Sequence, residues 1–334
     1  MKLSVLNPGG NDPEQHFPDG AGVPTDQAHP PVNYHGFAAC TGGGFFRKLS
    51  FLPSAADPVL VLIRRDLKAV RHAVTELRSS GRKIAIAWKE AGALQVAAQL
   101  RTASQVRLFR EICERSDAAI ATTPELGSFF RSAGVRRVEF IPTPYPVDDA
   151  RWDFSLPQAE RRGIFLGTRE FDTPSRNHLA ALLAIKPLAE SMREPVTVFN
   201  VAGWSGRRML RELRFSDGML QVIEGKLPYP QYLRRMAQHK LVFQLDASAV
   251  PGQVAGDALL CGIPCVGGNG ATERLAFPEL CGHQRNAEQL FDLTARLLEH
   301  PPEAAAAAKA ALSLASARLS FRSVARQLEQ FLSP

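Results

Sequence analysis

The chain has 334 residues, 45% of them hydrophobic and 22% charged, with a formal net charge of +7. That length is too great for one average core and comfortable for two, and the balance is that of an ordinary soluble globular protein. No run approaches the ~20 consecutive apolar residues of a membrane span, and the first ten residues lack the apolar region and cleavage site of a secretory signal, so a cytosolic protein is expected. The five cysteines (Cys40, Cys113, Cys261, Cys265, Cys281) form no CxxC pair. With no partners at zinc spacing they read as reduced, buried thiols, and no metal is expected.

The positive excess lies in the N-terminal half, where residues 60–140 hold 15 Lys/Arg against 8 Asp/Glu. A solvated helix face, an anionic lipid surface and nucleic acid would each account for it. Nucleic acid is the weakest of the three, because the basic residues are scattered without aromatic interleaving or a recognition-helix motif.

In chain order, residues 1–6 read as a first strand, followed to residue 57 by a loop dense in Gly, Pro, Asn and His. A long stretch of that kind is usually functional or mobile. Strands are then predicted at 59–63, 83–87, 117–122 and 138–141. Helices lie between them at 66–77, in a longer stretch reaching Arg115, and at 124–132. Short apolar strands without alternation, separated by helices, predict a parallel sheet covered on both faces. Residues 142–149 hold three prolines in five residues and read as a linker.

The rhythm then restarts, with strands at 163–166, 196–202, 220–223, 241–245 and 263–266. Helices are predicted at 178–191, 229–238, 254–261, 303–319 and 321–332. The fold class is therefore α/β, with two Rossmann-like doubly wound lobes facing a cleft: residues 1–147 and 148–334, the last helix a candidate to cross back to the first lobe.

Ligands of open α/β sheets bind at the carboxyl ends of the strands. After the strand at 163–166 stand Gly167, Arg169, Arg176 and Asn177. A glycine turn, a helix N-terminus and two guanidiniums suit a diphosphate.

Here the chain resembles the retaining GT-B glycosyltransferases of family 4, the "group 1" enzymes. Gly167-x-Arg169 with Arg176-Asn177 is similar to their Gly-Arg…Lys turn. Asp257-Ala-Leu-Leu-Cys-Gly-Ile-Pro-Cys-Val266 is similar to their Glu-Ala-x-Ala-x-Gly-x-Pro-Val-Val signature. Gly225-Lys-Leu-Pro-Tyr-Pro-Gln-Tyr232 resembles the loop that holds the base. The resemblance implies donor-diphosphate binding by Arg169 and Arg176, ribose binding by Asp257, and contact of Lys226, Leu227 and Tyr229 with the base. It also implies approach of Gly9 and Gly10 to the phosphates from the first lobe. Two departures stand out. The family pairs two glutamates eight positions apart, and here the first is Ala249 and the second is shortened to Asp257. Gln253, in the loop between them, is a candidate to hold the sugar in the missing acid's place, and Glu273, after a glycine-rich loop, is a further cleft candidate.

An inverting enzyme needs a general base, and His16, Asp19, His29 and His35 are the candidates by residue type. The activity implied is transfer of a sugar from a nucleotide-diphosphate sugar to a glycan or lipid-linked acceptor, in bacterial surface polysaccharide or glycolipid assembly. The enzyme would carry no cofactor or metal, use no nucleic-acid partner, and sit in the cytoplasm or against an anionic membrane surface. A non-catalytic sugar-nucleotide-binding relative and a sugar-nucleotide epimerase are the alternatives.

Overall fold

A computed structural model describes residues 1–53, 57–89 and 91–333. Seven strands form the first sheet: β1 (Ser4–Leu6), β2 (Gln15–His16), β3 (Gly44–Phe46), β4 (Val59–Ile63), β5 (Ile84–Trp88), β6 (Ala118–Ala121) and β7 (Val138–Phe140). Their order is β2-β3-β1-β4-β5-β6-β7. All pairs are parallel except β2 with β3. Every residue of β4 and of β5 is buried, as expected of central strands covered on both faces.

The helices follow local chemistry. Leu67–Ser79 begins where the Asp66 carboxylate accepts from the Ala69 N–H at 3.0 Å. It buries Leu67, Val70, Ala73, Val74 and Leu77, a stripe at helical spacing. The single long helix expected to reach Arg115 is instead two, Ala93–Gln99 and Ala103–Glu114. Thr102 starts the second with a capping box, accepting from the Gln105 N–H while Gln105 reaches back to the Thr102 N–H.

The region expected as a loop after residue 6 contains β2, β3 and the helix Asn33–Ala39. Strands of two and three residues carry no readable period. The helix buries Tyr34 through Ala39, so it has no polar face to mark it.

The second sheet consists of β8 (Ile164–Leu166), β9 (Val196–Asn200), β10 (Leu220–Glu224), β11 (Leu241–Gln244) and β12 (Cys265–Gly267), ordered β10-β9-β8-β11-β12 and wholly parallel. The chain passes between the sheets twice. On the way out, the Tyr145 N–H donates to Leu319 O at 2.8 Å. On the way back, the helix Phe321–Leu332 starts at Ser320 and buries Val324, Leu328 and Leu332 in the core of the first sheet. Lys83 Nζ closes its far end on Leu332 O at 2.7 Å.

The two lobes also touch across the cleft. Arg274 grips Glu125 with two guanidinium nitrogens at 2.6 and 3.0 Å. Asn33 donates to Gln253 at 2.9 Å, and Trp152 Nε1 donates to Gly22 O at 3.0 Å.

Because Leu328 is fully buried where the last helix meets the first sheet, Leu328→Ala should cost about 2–5 kcal/mol through lost burial and the cavity left behind. Urea unfolding of the whole chain measures this, and a cost below about 1 kcal/mol would show that the helix is not anchored there.

Candidate functional site

The order of the second sheet reverses between β8 and β11, and a cleft of about 580 Å³ opens there, at the carboxyl ends of both strands. Gly167 makes the turn out of β8. A Cβ at that position would stand 2.7 Å from Val254 Cγ1 and 3.1 Å from Val242 Cγ1, so only glycine lets the turn lie against the helix Gln253–Leu260. Arg169 follows, partly exposed, its Nε 3.4 Å from Glu170. A short 3-10 turn, Pro174–Arg176, delivers Arg176, which forms an ion pair with Asp246, two residues beyond β11. The other Asp246 oxygen accepts from the Ser248 N–H at 2.8 Å. Burial works against the Arg176 charge, but the Asp246 carboxylate outweighs it and holds the guanidinium above its ordinary pKa.

Two acids are buried in the cleft wall. Asp257, in the helix Gln253–Leu260, is 1% exposed. Burial pushes its pKa up to about 7, against the hydrogen bond from Tyr229, the nearby charge of Arg169 and the hydrogen bond from Tyr232. Tyr229 and Tyr232 stand one turn apart on the helix Tyr229–Ala237, with rings stacked 6.1 Å apart. Glu273 is 3% exposed, and burial likewise raises it to about 7. Its Oε1 accepts from Gln244 Nε2 at 3.0 Å. Glycines surround this carboxylate: a Cβ at Gly252 or Gly270 would stand 2.0 or 2.3 Å from Oε2, and one at Gly268 2.9 Å from Oε1.

Of the residues singled out in the sequence, His29, Arg169, Arg176, Lys226, Leu227, Tyr229, Gln253, Asp257 and Glu273 line this cleft. Asn177 adjoins Arg176 but turns its side chain to Leu245 O at 2.9 Å. Gly9 and Gly10 do not line the cleft. They follow β1 at the reversal point of the first sheet, where Gly9 (φ +70°) lies against Asp66 and Gly10 against Asn7. His16 and Asp19 line a separate pocket of about 150 Å³ with Trp152 and Pro230, which shares His29 and Tyr229 with the main cleft.

His35 is a core ring and not a cleft residue. It is stacked against His29 and Phe45 with centroids 3.8 and 3.6 Å away, and burial drives its pKa down to about 3. Of the four candidate bases, only His29 reaches the main cleft. Asp246, Tyr232, Gln244 and Asn33 also line it, and sequence reasoning passed over them. Tyr232, three residues after Tyr229, carried a usable signal, and so did Asp246 just past a strand. Among the described residues no three His, Cys, Asp or Glu side chains are grouped as if to hold a metal ion.

The sequence matches no protein-family model and no curated protein. The structure, in contrast, is similar to several solved ones. Anabaena Alr3699/HepE, solved in complex with UDP, has a TM-score of 0.66 at 15% identity, with 100% of both chains covered. A UDP-forming α,α-trehalose-phosphate synthase from Burkholderia xenovorans gives 0.61 at 15% identity, covering 83% of this chain and 73% of its own. TarM of S. aureus, solved as a mutant in complex with Fondaparinux, alpha-GlcNAc-glycerol and UDP, gives 0.63 at 11% identity, covering 86% and 57%. The chain has the GT-B fold: two Rossmann-like lobes facing a cleft.

Asp257 and Glu273 keep their protons in the folded state up to about pH 7, whereas an unfolded chain releases them near pH 4. Their contribution to stability is therefore complete below about pH 4 and lost as pH rises through about 7. His35, His178 and His239, lowered by burial to about 3, 4 and 4, act in the opposite sense and lose stability as pH falls below about 6.5. Comparison with Asp257→Asn separates the two effects. Between pH 5 and pH 8 the urea midpoint of the wild type should fall relative to that of the variant, and parallel curves would show that Asp257 ionises normally.

Proposed function

We propose that this chain is a glycosyltransferase that moves a hexose from a nucleotide-diphosphate sugar to a hydroxyl acceptor. The observation that carries this reading is the convergence of Arg169, Arg176 and the N-terminus of the helix Gln253–Leu260 on one cleft, with the buried Asp257 one turn along that helix. Two guanidiniums and oriented backbone N–H groups form a diphosphate site. Asp257 accepts the ribose hydroxyls in place of the Tyr229 and Tyr232 hydroxyls, and the base lies beside Lys226, Leu227 and Tyr229. The UDP named with Alr3699/HepE and TarM makes uridine diphosphate the first nucleotide to test.

In the reaction, the bond between the sugar anomeric carbon and the diphosphate breaks and a bond to the acceptor oxygen forms. Charge develops on the departing diphosphate, where preorganised positive groups lower the barrier most. His16 and Asp19 line another pocket and His35 is packed in the core. A retaining course, in which the departing diphosphate takes the acceptor's proton, needs none of them, and His29 is the residue that would serve an inverting one. This chemistry requires no metal ion or other cofactor.

We further propose a glycan or lipid-linked acceptor of bacterial surface polysaccharide or glycolipid assembly, met in the cytoplasm at an anionic membrane face. Leu94 and Val106, 62% and 43% exposed, support this, with Arg101, Arg107 and Arg110 exposed on the same part of the first lobe. A second reading, a sugar-nucleotide-binding protein without transfer, draws on Ala249 and on the tyrosine hydroxyls that occupy Asp257. Slow release of UDP from a UDP-hexose in the absence of acceptor would decide for the enzyme.

UDP should raise the melting temperature, with about 2.7 kcal/mol of stabilisation at one hundred times its Kd. Arg169→Ala should weaken UDP binding roughly 10–100-fold, the loss of one charge-assisted hydrogen bond. If no nucleoside diphosphate stabilises the protein at millimolar concentration, the proposal fails.

A further inference from the structure

Among the cleft-lining residues that the structure describes, one buried side-chain oxygen or nitrogen takes no hydrogen bond from any other residue: Glu273 Oε2. The other acids beside it are engaged. Asp246 holds Arg176 and the Ser248 N–H, and Asp257 receives hydrogen bonds from Tyr229 and Tyr232. A buried acceptor left unmade is costly, and the surrounding backbone is shaped to keep this one. Gly252, Gly268 and Gly270 leave no room for a side chain against the carboxylate, while Gln244 fixes Oε1 and leaves Oε2 unused.

The position along the cleft narrows what could satisfy it. Arg176, Asp246, Gln244 and Gly252 are its neighbours, at the end of β11 and on the loops leaving β8 and β11, while Glu273 itself follows β12. Lys226 and Leu227 follow β10, at the opposite edge of the same sheet. A nucleotide whose base lies at the β10 side and whose diphosphate lies at Arg169 and Arg176 therefore sends its far end toward Glu273. What extends beyond the diphosphate there is the sugar, a ring bearing hydroxyl donors. Position 249, on the neighbouring loop, offers only a methyl group. Its carbonyl oxygen would stand 1.9 Å from a Cβ at Gly92 of the first lobe, so the first lobe packs directly against the backbone there.

We infer that Glu273 is the acid that reads the donor sugar, its Oε2 accepting a hydrogen bond from one ring hydroxyl. This rests on the nucleotide-sugar reading above and deepens it. The residue recognises the hexose and leaves the nucleotide to the arginines and Asp257. A site built around a buried acceptor also discriminates strongly against a sugar that lacks the matching hydroxyl.

The test is isothermal titration of UDP and of a UDP-hexose panel, with UDP-glucose, UDP-galactose and UDP-N-acetylglucosamine as probes, against wild type and Glu273→Gln. The variant should bind UDP within about twofold of wild type and the preferred UDP-hexose roughly tenfold more weakly, the loss of one buried hydrogen bond. Equal losses for UDP and UDP-hexose would overturn the inference, placing Glu273 in support of the Gly252 loop. No loss for either would overturn it as well. Deoxyfluoro analogues of the preferred donor, fluorinated in turn at C2, C3, C4 and C6, test the same point on wild type alone, should the variant fail to fold. One position should lose roughly tenfold, and four equal affinities would count against the assignment. Wild type that binds UDP but gains nothing from the sugar refutes this inference and leaves the nucleotide site standing, whereas wild type blind to UDP refutes the nucleotide reading itself.

Discussion

Tyr145 ties the architecture to the site. Its ring occupies the space of the side chain that Gly256 lacks, since a Cβ there would stand 2.0 Å from the ring. Its N–H meets Leu319 O as the chain crosses out to the second sheet, and its hydroxyl lies 3.4 Å from Gln253 O. The same residue thus holds the outgoing linker against the returning segment and presses on the helix that carries Asp257. Large side chains interdigitate with glycine at such crossings because protein interiors tolerate neither voids nor overlap. The cleft geometry consequently depends on a contact outside the cleft.

Electrostatics within the cleft run against the net charge of the chain. The protein is basic overall, at +7, yet the cleft wall buries Asp246, Asp257 and Glu273. One is paired with Arg176, and burial raises the other two toward neutrality. A buried carboxylate without a cation is costly in its charged form, so it holds its proton or waits for a partner. An arriving diphosphate changes this balance by taking up the positive field of Arg169 and Arg176. Sugar and ribose hydroxyls are then the neutral donors that the two raised acids can accommodate.

Periodicity made the frame of the fold legible. Strands such as Val59–Ile63 and helices such as Leu67–Ser79 announce themselves because burial on two faces or on one stripe dictates which residues can occupy them. The break after Gln99 was marked by Thr102 and Gln105, a capping pair hidden within an apparently continuous helical run. Short elements escaped, and so did the helices Gly203–Glu212 and Ala287–Glu299. Gln15–His16 and Gly44–Phe46 owe their existence to a neighbouring strand, and Asn33–Ala39 is buried nearly all round.

At the level of the site, the sequence by itself determined the chemical types: arginines after β8, an acid in the helix Gln253–Leu260, three imidazoles in the segment before β4. Those follow from residues placed next to recognisable strand ends. Only the tertiary structure decided which of them meet. Arg176 finds Asp246, seventy positions away, and Glu273 is enclosed by glycines at 252, 268 and 270. His29 enters the cleft while His35, six residues on, is sealed between aromatic rings. Gly9 and Gly10 serve the first sheet's own reversal point. Side-chain direction, burial and the identity of a buried partner arise from chain crossings that bring distant segments together, and no local spacing encodes them.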